Sequence, residues 1–244
     1  MTRPTGDLVF IGDVHLERKD EALEDFVAFL EGLRDSACRV VLMGDLFNLW
    51  IGDPGLERPH HVAVSSALRK LRASGIVVQY IEGNRDYRIG VRHGGSTFDA
   101  VSAEGFEERF AGHRIWAAHG DLVNPADRQY RAWRRVSRSG VVWALFRLLP
   151  SRWRAKLADS LERKFRATNL AFKQRVPDDQ VRDYGERYHA RGFDRVVLGH
   201  FHVERDLPVS DGAARVLVLP EWKGSRRHLR VSPDGEIGFV GPVA

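Results

Sequence analysis

Short apolar runs recur along this chain, and each ends at a polar residue able to bind a metal. Leu8-Val9-Phe10-Ile11-Gly12, Val40-Val41-Leu42-Met43-Gly44, Ile76-Val77-Val78-Gln79-Tyr80-Ile81-Glu82-Gly83, Ile115-Trp116-Ala117-Ala118 and Val196-Val197-Leu198-Gly199 are too short for helices and lack strict alternation. Such runs suit strands buried on both faces. Leu23, Phe26, Val27, Leu30 and Leu33 recur at helical spacing after the first run, and Val64, Ala67, Leu68 and Leu71 do so before the third, ending near Ser74-Gly75. Strand-helix-strand alternation predicts right-handed crossovers and parallel pairing. Phe106 to Ala118 reads as a hairpin turning at Ala111-Gly112. Val216 to Leu219, His228 to Val231 and Glu236 to Val240, around Pro233-Asp234-Gly235, read as antiparallel strands. Two mixed sheets with helices outside them are the expected architecture.

The runs deliver Asp13 and His15, then Asp45, then Asn84 with Arg85 and Asp86, then His119 with Gly120 and Asp121, and finally His200 and His202. In layered α/β folds the carboxyl ends of strands form the rim where ligands bind. A carboxylate such as Asp45, placed after so apolar a strand, needs a partner to offset its desolvation. Hard carboxylate and amide oxygens mixed with imidazoles suit two divalent ions such as Mn²⁺, with Fe or Zn as alternatives. Asp45 could bridge such a pair. One histidine at a strand end is usually a satisfied polar residue. Five such ends in order single out a centre.

The middle of the chain differs. Between Arg128 and Arg175, fourteen Lys and Arg stand against Asp159 and Glu162, a net of +12 in a chain of net +5, so the remainder is acidic. Tyr130, Trp133, Trp143, Leu145, Phe146, Leu148, Leu149, Trp153, Leu157, Leu161, Phe165, Leu170 and Phe172 are interleaved with these charges, and Pro150 breaks the run. Two or three helices forming a cap over about 126–191 are predicted. Concentrated positive charge points to an anionic partner, and apolar faces with Trp and flanking Arg resemble an interfacial membrane element. The alternatives are solvated helix faces and side chains that pack the cap onto the sandwich. A chain of 244 residues can form one α/β domain. The single Cys38 rules out an internal disulfide framework and fits a reducing compartment. Met1 to Asp7 leads into a strand without a signal-peptide core, and no stretch reaches the ~18 apolar residues of a membrane span. A cytoplasmic protein able to touch a surface is expected.

Asp13-x-His15, Gly44-Asp45, Gly83-Asn84, His119-Gly120-Asp121 and Gly199-His200-Phe201-His202 resemble the motifs of the calcineurin-like metallophosphoesterase superfamily. Within it, Gly44-Asp45-Leu46-Phe47, Trp50-Ile51-Gly52-Asp53 and Gly83-Asn84-Arg85-Asp86 resemble the UDP-2,3-diacylglucosamine hydrolases of lipid A synthesis. The similarity runs from about Leu8 to His202 and weakens between Ser139 and Arg191. It implies a four-layer α/β/β/α sandwich with a helical cap. It also implies that Asp13, His15, Asp45 and His202 hold one metal, while Asp45, Asn84, His119 and His200 hold the other. Asp45, Asn84, Arg85 and His119 would form the catalytic group, with Asp86 and Asp121 orienting ligands. His60, His61, His93, His113, His189 and His228 have no matching positions and are expected to be surface or structural. Substrate contacts are implied for Asn84, Arg85, His200, Asp127 and Tyr130. Arg166, Asn169 and Lys173 of the cap are implied too, with solvated helix positions as their alternative.

The implied reaction is hydrolysis of the pyrophosphate of UDP-2,3-diacylglucosamine to UMP and 2,3-diacylglucosamine 1-phosphate. The partners would be a lipid-linked UDP-sugar and the cytoplasmic face of the inner membrane, with no nucleic acid. Arg85 departs from the wider superfamily, where a histidine commonly follows the Asn and can protonate a leaving alkoxide. Arginine cannot serve as a general acid. It can grip phosphate oxygens bidentately, which suits a leaving phosphate that needs no proton. Three alternatives stand beside this: a nuclease or nucleotide phosphodiesterase with a basic cap, a non-catalytic scaffold, and an Arg85 that merely pairs with Asp86.

Overall fold

The computed structural model describes residues 5–172 and 176–241, with side chains for all of these except 166–172. The strands are β1 (Asp7–Ile11), β2 (Ala37–Leu42), β3 (Trp50–Ile51), β4 (Val77–Ile81), β5 (Asp86–Tyr87), β6 (Ala100–Ser102), β7 (Phe106–Phe110), β8 (His113–Ala118), β9 (Arg195–Leu198), β10 (Arg205–Val209), β11 (Ala214–Val218), β12 (His228–Val231) and β13 (Ile237–Val240). The helices are α1 (Ala22–Gly32), α2 (Pro59–Ala73), α3 (Ile89–His93), α4 (Arg128–Ser137), α5 (Gly140–Leu148), α6 (Ser151–Phe172), α7 (Asp178–His189) and α8 (Trp222–Ser225).

One sheet runs β13-β12-β1-β2-β4-β6 and the other β10-β11-β9-β8-β7. Their centres, β1-β2-β4-β6 and β8-β9-β11, are parallel. Antiparallel partners complete the sides, β12 and β13 in the first sheet and β7 and β10 in the second. Strand alternation assigns each side chain to a layer. Leu8, Phe10, Val41 and Met43 point between the sheets, where they meet Ile115, Ala117, Val197 and Leu217. Their chain neighbours Val9, Ile11, Val40 and Leu42 point the other way, onto Phe26 and Leu30 of α1 and Val64 and Leu68 of α2. On the far side, Val196, Leu198, Val216 and Val218 receive Val181 and Tyr184 of α7. The layers are therefore helix, sheet, sheet, helix. Burying each of these side chains is worth about 1.5–3 kcal/mol, which pins the register of both sheets.

α7 lies inside the 126–191 span expected to form the cap, yet it supplies the sandwich's outer layer. The helices that remain for the expected cap are α4, α5 and α6. Their seat is the short parallel pair β3–β5, where Leu49, Ile51 and Tyr87 meet Trp143, Phe146, Ala158, Leu161 and Phe165. Ion pairs from Arg58 to Asp159 and from Arg154 to Asp53 fasten α6 to the loop before α2. Among the described residues, no helix is long and apolar enough to cross a membrane.

The histidines outside the motifs are structural. His60, His61 and His93 are buried against Phe47, Trp50 and Phe98, and His228 packs on Phe29. The half-buried His113 and His189 bond Asp194 and the Phe193 carbonyl. Burial is the leading cause that holds His60, His93 and His228 down to about 4 and His61 down to about 2. The unfolded chain takes up protons at these rings near the ordinary ~6.5. Their contribution to stability is thus complete above that value and is lost as pH falls toward 4. Imidazole ¹⁵N spectra should find His61 neutral at pH 5, with the urea midpoint falling between pH 7 and 4.5. Protonation of His61 near pH 6.5 would contradict the burial assignment.

Candidate metal centre

Strands of both sheets end at one rim. β1 leads to Asp13 and His15, β2 to Asp45, β4 to Asn84, β8 to His119, and β9 to His200 and His202. Five of these residues turn back at positive φ: Asp13 at 46°, His15 at 51°, Asp45 at 51°, His200 at 74° and His202 at 59°. That region is uncommon for residues other than glycine, though Asp and His tolerate it better than most. Strain of this kind persists where the surroundings over-determine the backbone. Two glycines let the ligand loops touch. A Cβ on Gly44 would lie 2.5 Å from the Gly83 nitrogen, and one on Gly83 would lie 2.2 Å from Asp45 Oδ1.

The side chains converge in two groups. In the first, His15 Nε2 lies 3.1 Å from His202 Nε2, and Asp13 Oδ1 lies 3.5 Å from His202 Nε2 and 3.9 Å from His15 Nε2. In the second, Asn84 Oδ1 is 3.1 Å from both His119 Nε2 and His200 Nδ1. Asp45 Oδ1 stands 3.9 Å from His119 Nε2, and ligand atoms of Asp13, Asp45 and His119 all lie within 4.8 Å of one another. All seven expected ligands are brought together.

This donor set fits divalent cations. Asp13 Oδ1 is buried with no hydrogen-bond donor among the described residues, and an unsatisfied buried acceptor is costly. His119 Nδ1 donates to the Met43 carbonyl at 2.7 Å, which turns Nε2 toward Asn84 and Asp45 and fixes the tautomer a metal ligand needs. Burial, with Asp13 adding, raises the Asp45 carboxyl above its ordinary range despite His119 and Arg85. At Asp13 burial also pushes upward, but the imidazoles of His202, His119 and His15 outweigh it and hold the carboxyl below its usual range. Burial and His119 bring His200 down to about 4, leaving it neutral at pH 7.

The surrounding contacts orient these groups. Asp86 Oδ2 accepts from the Asp45 nitrogen at 2.9 Å, the Gly83 nitrogen at 2.8 Å and the Tyr80 hydroxyl at 2.7 Å. Burial first, and the Asp45 charge second, push its carboxyl up to about 7. The Arg85 nitrogen donates to Asp45 Oδ1 at 3.0 Å, and its Nε lies 3.4 Å from Asp45 Oδ2. Its Nη1 donates to Asn48 Oδ1 at 3.4 Å, while Asn48 Nδ2 donates to Glu17 Oε1 at 3.0 Å. The guanidinium thus faces the carboxylate of Asp45, and the Asp86 carboxylate is occupied by backbone amides. Asp127 is exposed and caps α4 by accepting from the Tyr130 nitrogen at 2.9 Å. The Tyr130 hydroxyl donates to Asp121. Lys173 and the side chains of Arg166 and Asn169 lie outside the described residues. Asn48, Tyr80, Arg134 and Arg138 were not expected at the centre. Arg134 and Arg138 had a signal, spacing of four and eight residues from Tyr130, that the surrounding basic run concealed.

A profile of the calcineurin-like phosphoesterase family matches residues 7–204, a span that contains all seven converging side chains. The chain belongs to that family. Among curated relatives of this phosphoesterase, proteins named UDP-2,3-diacylglucosamine hydrolase align over most of its length. One from Serratia proteamaculans is 29% identical over 231 residues, one from Klebsiella pneumoniae 30% over 234, and one from Neisseria meningitidis serogroup C 32% over 243. Each alignment covers 93% of this chain and 95% of the relative.

Because Asp45 carries a raised carboxyl in the absence of a cation, Asp45→Asn should stabilise the metal-free protein above about pH 4, where the native charge is costly. A divalent cation at about 100 times its dissociation constant should stabilise the wild type by about 2.7 kcal/mol and the variant by much less. Thermal unfolding with and without the cation checks both. An equal gain in the two proteins would remove Asp45 from the site.

Proposed function

We propose that this phosphoesterase hydrolyses the pyrophosphate of UDP-2,3-diacylglucosamine, releasing UMP and 2,3-diacylglucosamine 1-phosphate. The observation that carries the reading is the position of Arg85. Its guanidinium is buried beside Asp45 and sits 5.6 Å from the ring centroid of Phe165 in the cap. A fixed cation in the centre therefore adjoins the apolar cluster in which Leu49 and Ile51 pack against Trp143, Phe146 and Leu161 of the cap. That juxtaposition suits a substrate whose diphosphate is followed by acyl chains. The names of the relatives support the same reaction.

Two divalent ions, Mn²⁺ by the mixture of oxygen and imidazole donors, would supply Lewis-acid charge to phosphoryl oxygens and make a hydroxide nucleophile available at neutral pH. Asp13, His15, Asp45 and His202 would hold one, and Asp45, Asn84, His119 and His200 the other. Asn84 and Arg85 would orient the diphosphate, with His200 beside them. Arg85 would also neutralise charge on the departing 1-phosphate, whose low basicity makes a proton donor unnecessary. The acyl chains would lie under the cap, where each buried CH₂ is worth about 0.8 kcal/mol.

The outer face of the cap supports docking on an anionic membrane, at the cytoplasmic face of the inner membrane where such a substrate would be met. Val141 is 71% exposed, Leu148 80% and Trp153 54%. Arg147, Arg152 and Lys156 are interspersed, and the Lys156 ammonium sits over the Trp153 ring. Interleaved apolar and basic side chains suit a lipid interface, whereas a nucleic-acid channel favours continuous charge with stacking rings.

Release of UMP from the lipid-linked substrate, compared with model phosphodiesters and single-stranded DNA, tests the reading. Arg85→Ala should lose about 2–4 kcal/mol of transition-state stabilisation with metal content unchanged. Preferential cleavage of DNA, or an Arg85→Ala rate equal to that of the wild type, would sink the proposal.

A further inference from the structure

Tyr130, Arg134 and Arg138 stand four residues apart on α4 and its C-terminal cap, and so share one face. The Tyr130 hydroxyl and Arg134 Nε, the latter at 2.7 Å, both donate to Asp121 Oδ2, two residues beyond His119. Arg138 Nη2 donates to the Gly83 carbonyl and, at 3.1 Å, to the Asp86 carbonyl. Those two carbonyls flank Asn84 and Arg85. Its guanidinium also lies 5.9 Å from the Tyr87 ring centroid. The three side chains thus grip the loops of Asn84 and His119, two residues that share the Asn84 Oδ1 to His119 Nε2 approach of 3.1 Å.

Stability alone is a poor account of Arg138. Its Nε and Nη1 are buried without hydrogen-bond partners, and a guanidinium desolvated on such terms stabilises a fold weakly at best. What it does secure is geometry, because Nη2 spans both ends of a four-residue loop that carries a ligand.

We propose that this face of α4 is a strap that sets Asn84 against His119, making Arg138, Arg134 and Tyr130 positioning residues for one half of the metal centre. The inference rests on the reading in which Asn84, His119 and His200 hold one of two ions. Tyr130 then acts through Asp121 rather than on substrate.

Calorimetric titration of the metal-free full-length protein with Mn²⁺ tests this, with circular dichroism to check folding. The wild type should bind two ions. Arg138→Ala should weaken one of them at least tenfold and leave the other unchanged, and Arg138→Lys should restore part of the loss by keeping one donor. Arg135→Ala, at an exposed α4 position, should match the wild type. In an Asn84→Ala background, Arg138→Ala should add little further weakening. Two ions bound to Arg138→Ala with wild-type affinity would overturn the strap, as would equal weakening of both. If Arg138→Ala does not fold, Arg138→Lys decides by the same criterion. A wild type that binds fewer than two ions would instead overturn the underlying two-ion reading.

Discussion

Two carboxylates are buried side by side at the sheet rim, and the rest of the structure is arranged around that constraint. Asp13 and Asp45 are almost wholly removed from water, with ligand atoms within 4.8 Å of each other and of His119. Like charges in so dry a place repel, and each also loses its hydration. The opposite directions of their proton affinities express this: imidazoles hold Asp13 ionised, while Asp45 is driven toward protonation. Divalent cations relieve both costs at once. The backbone is bent where the candidate ligands stand, with left-handed turns at five of them and two glycines that admit one loop against another.

A second layer of contacts turns that rim into a defined site. Asp86 ties the Asp45 and Gly83 amides together from within, and Glu17 fixes the Asn48 amide so that its oxygen faces Arg85. Arg85 is thereby a fixed positive charge rather than a swinging one. The cap sits against it through Phe165 and against the ligand loops through α4. In the proposed reaction, chemistry at phosphorus and recognition of an apolar tail would meet at this arginine, which touches both Asp45 and the cap.

Much of this was legible because it follows from strong local rules. Val40 to Met43 must be a strand buried on both faces, and the residue after Gly44 must lie at its carboxyl end. Five repeats of that logic gave both the sheets and the centre. Other parts carried no such signal. β3 and β5 span two residues each, too few for any periodicity, and exist because Trp50 and Ile51 pair with Asp86 and Tyr87. β10 carries no strand signal in its sequence because Pro208 interrupts it, which an edge strand tolerates. α7 is polar around Val181 and Tyr184, so its sequence resembles the cap, and only the apolar outer face of β9 and β11 claims it for the sandwich. Within the cap, the apolar residues divided between two fates that composition cannot separate. Trp143 and Phe146 pack inward, while Leu145 and Leu148 face outward.

Anomalous diffraction from crystals grown with Mn²⁺ tests the central claim most directly. The account predicts two peaks, about 3.5–4 Å apart as in two-metal phosphoesterase sites. One should lie among Asp13, His15 and His202, the other among Asn84, His119 and His200, with Asp45 in reach of both. A single peak, or none with the imidazoles hydrogen-bonded to one another instead, would contradict it.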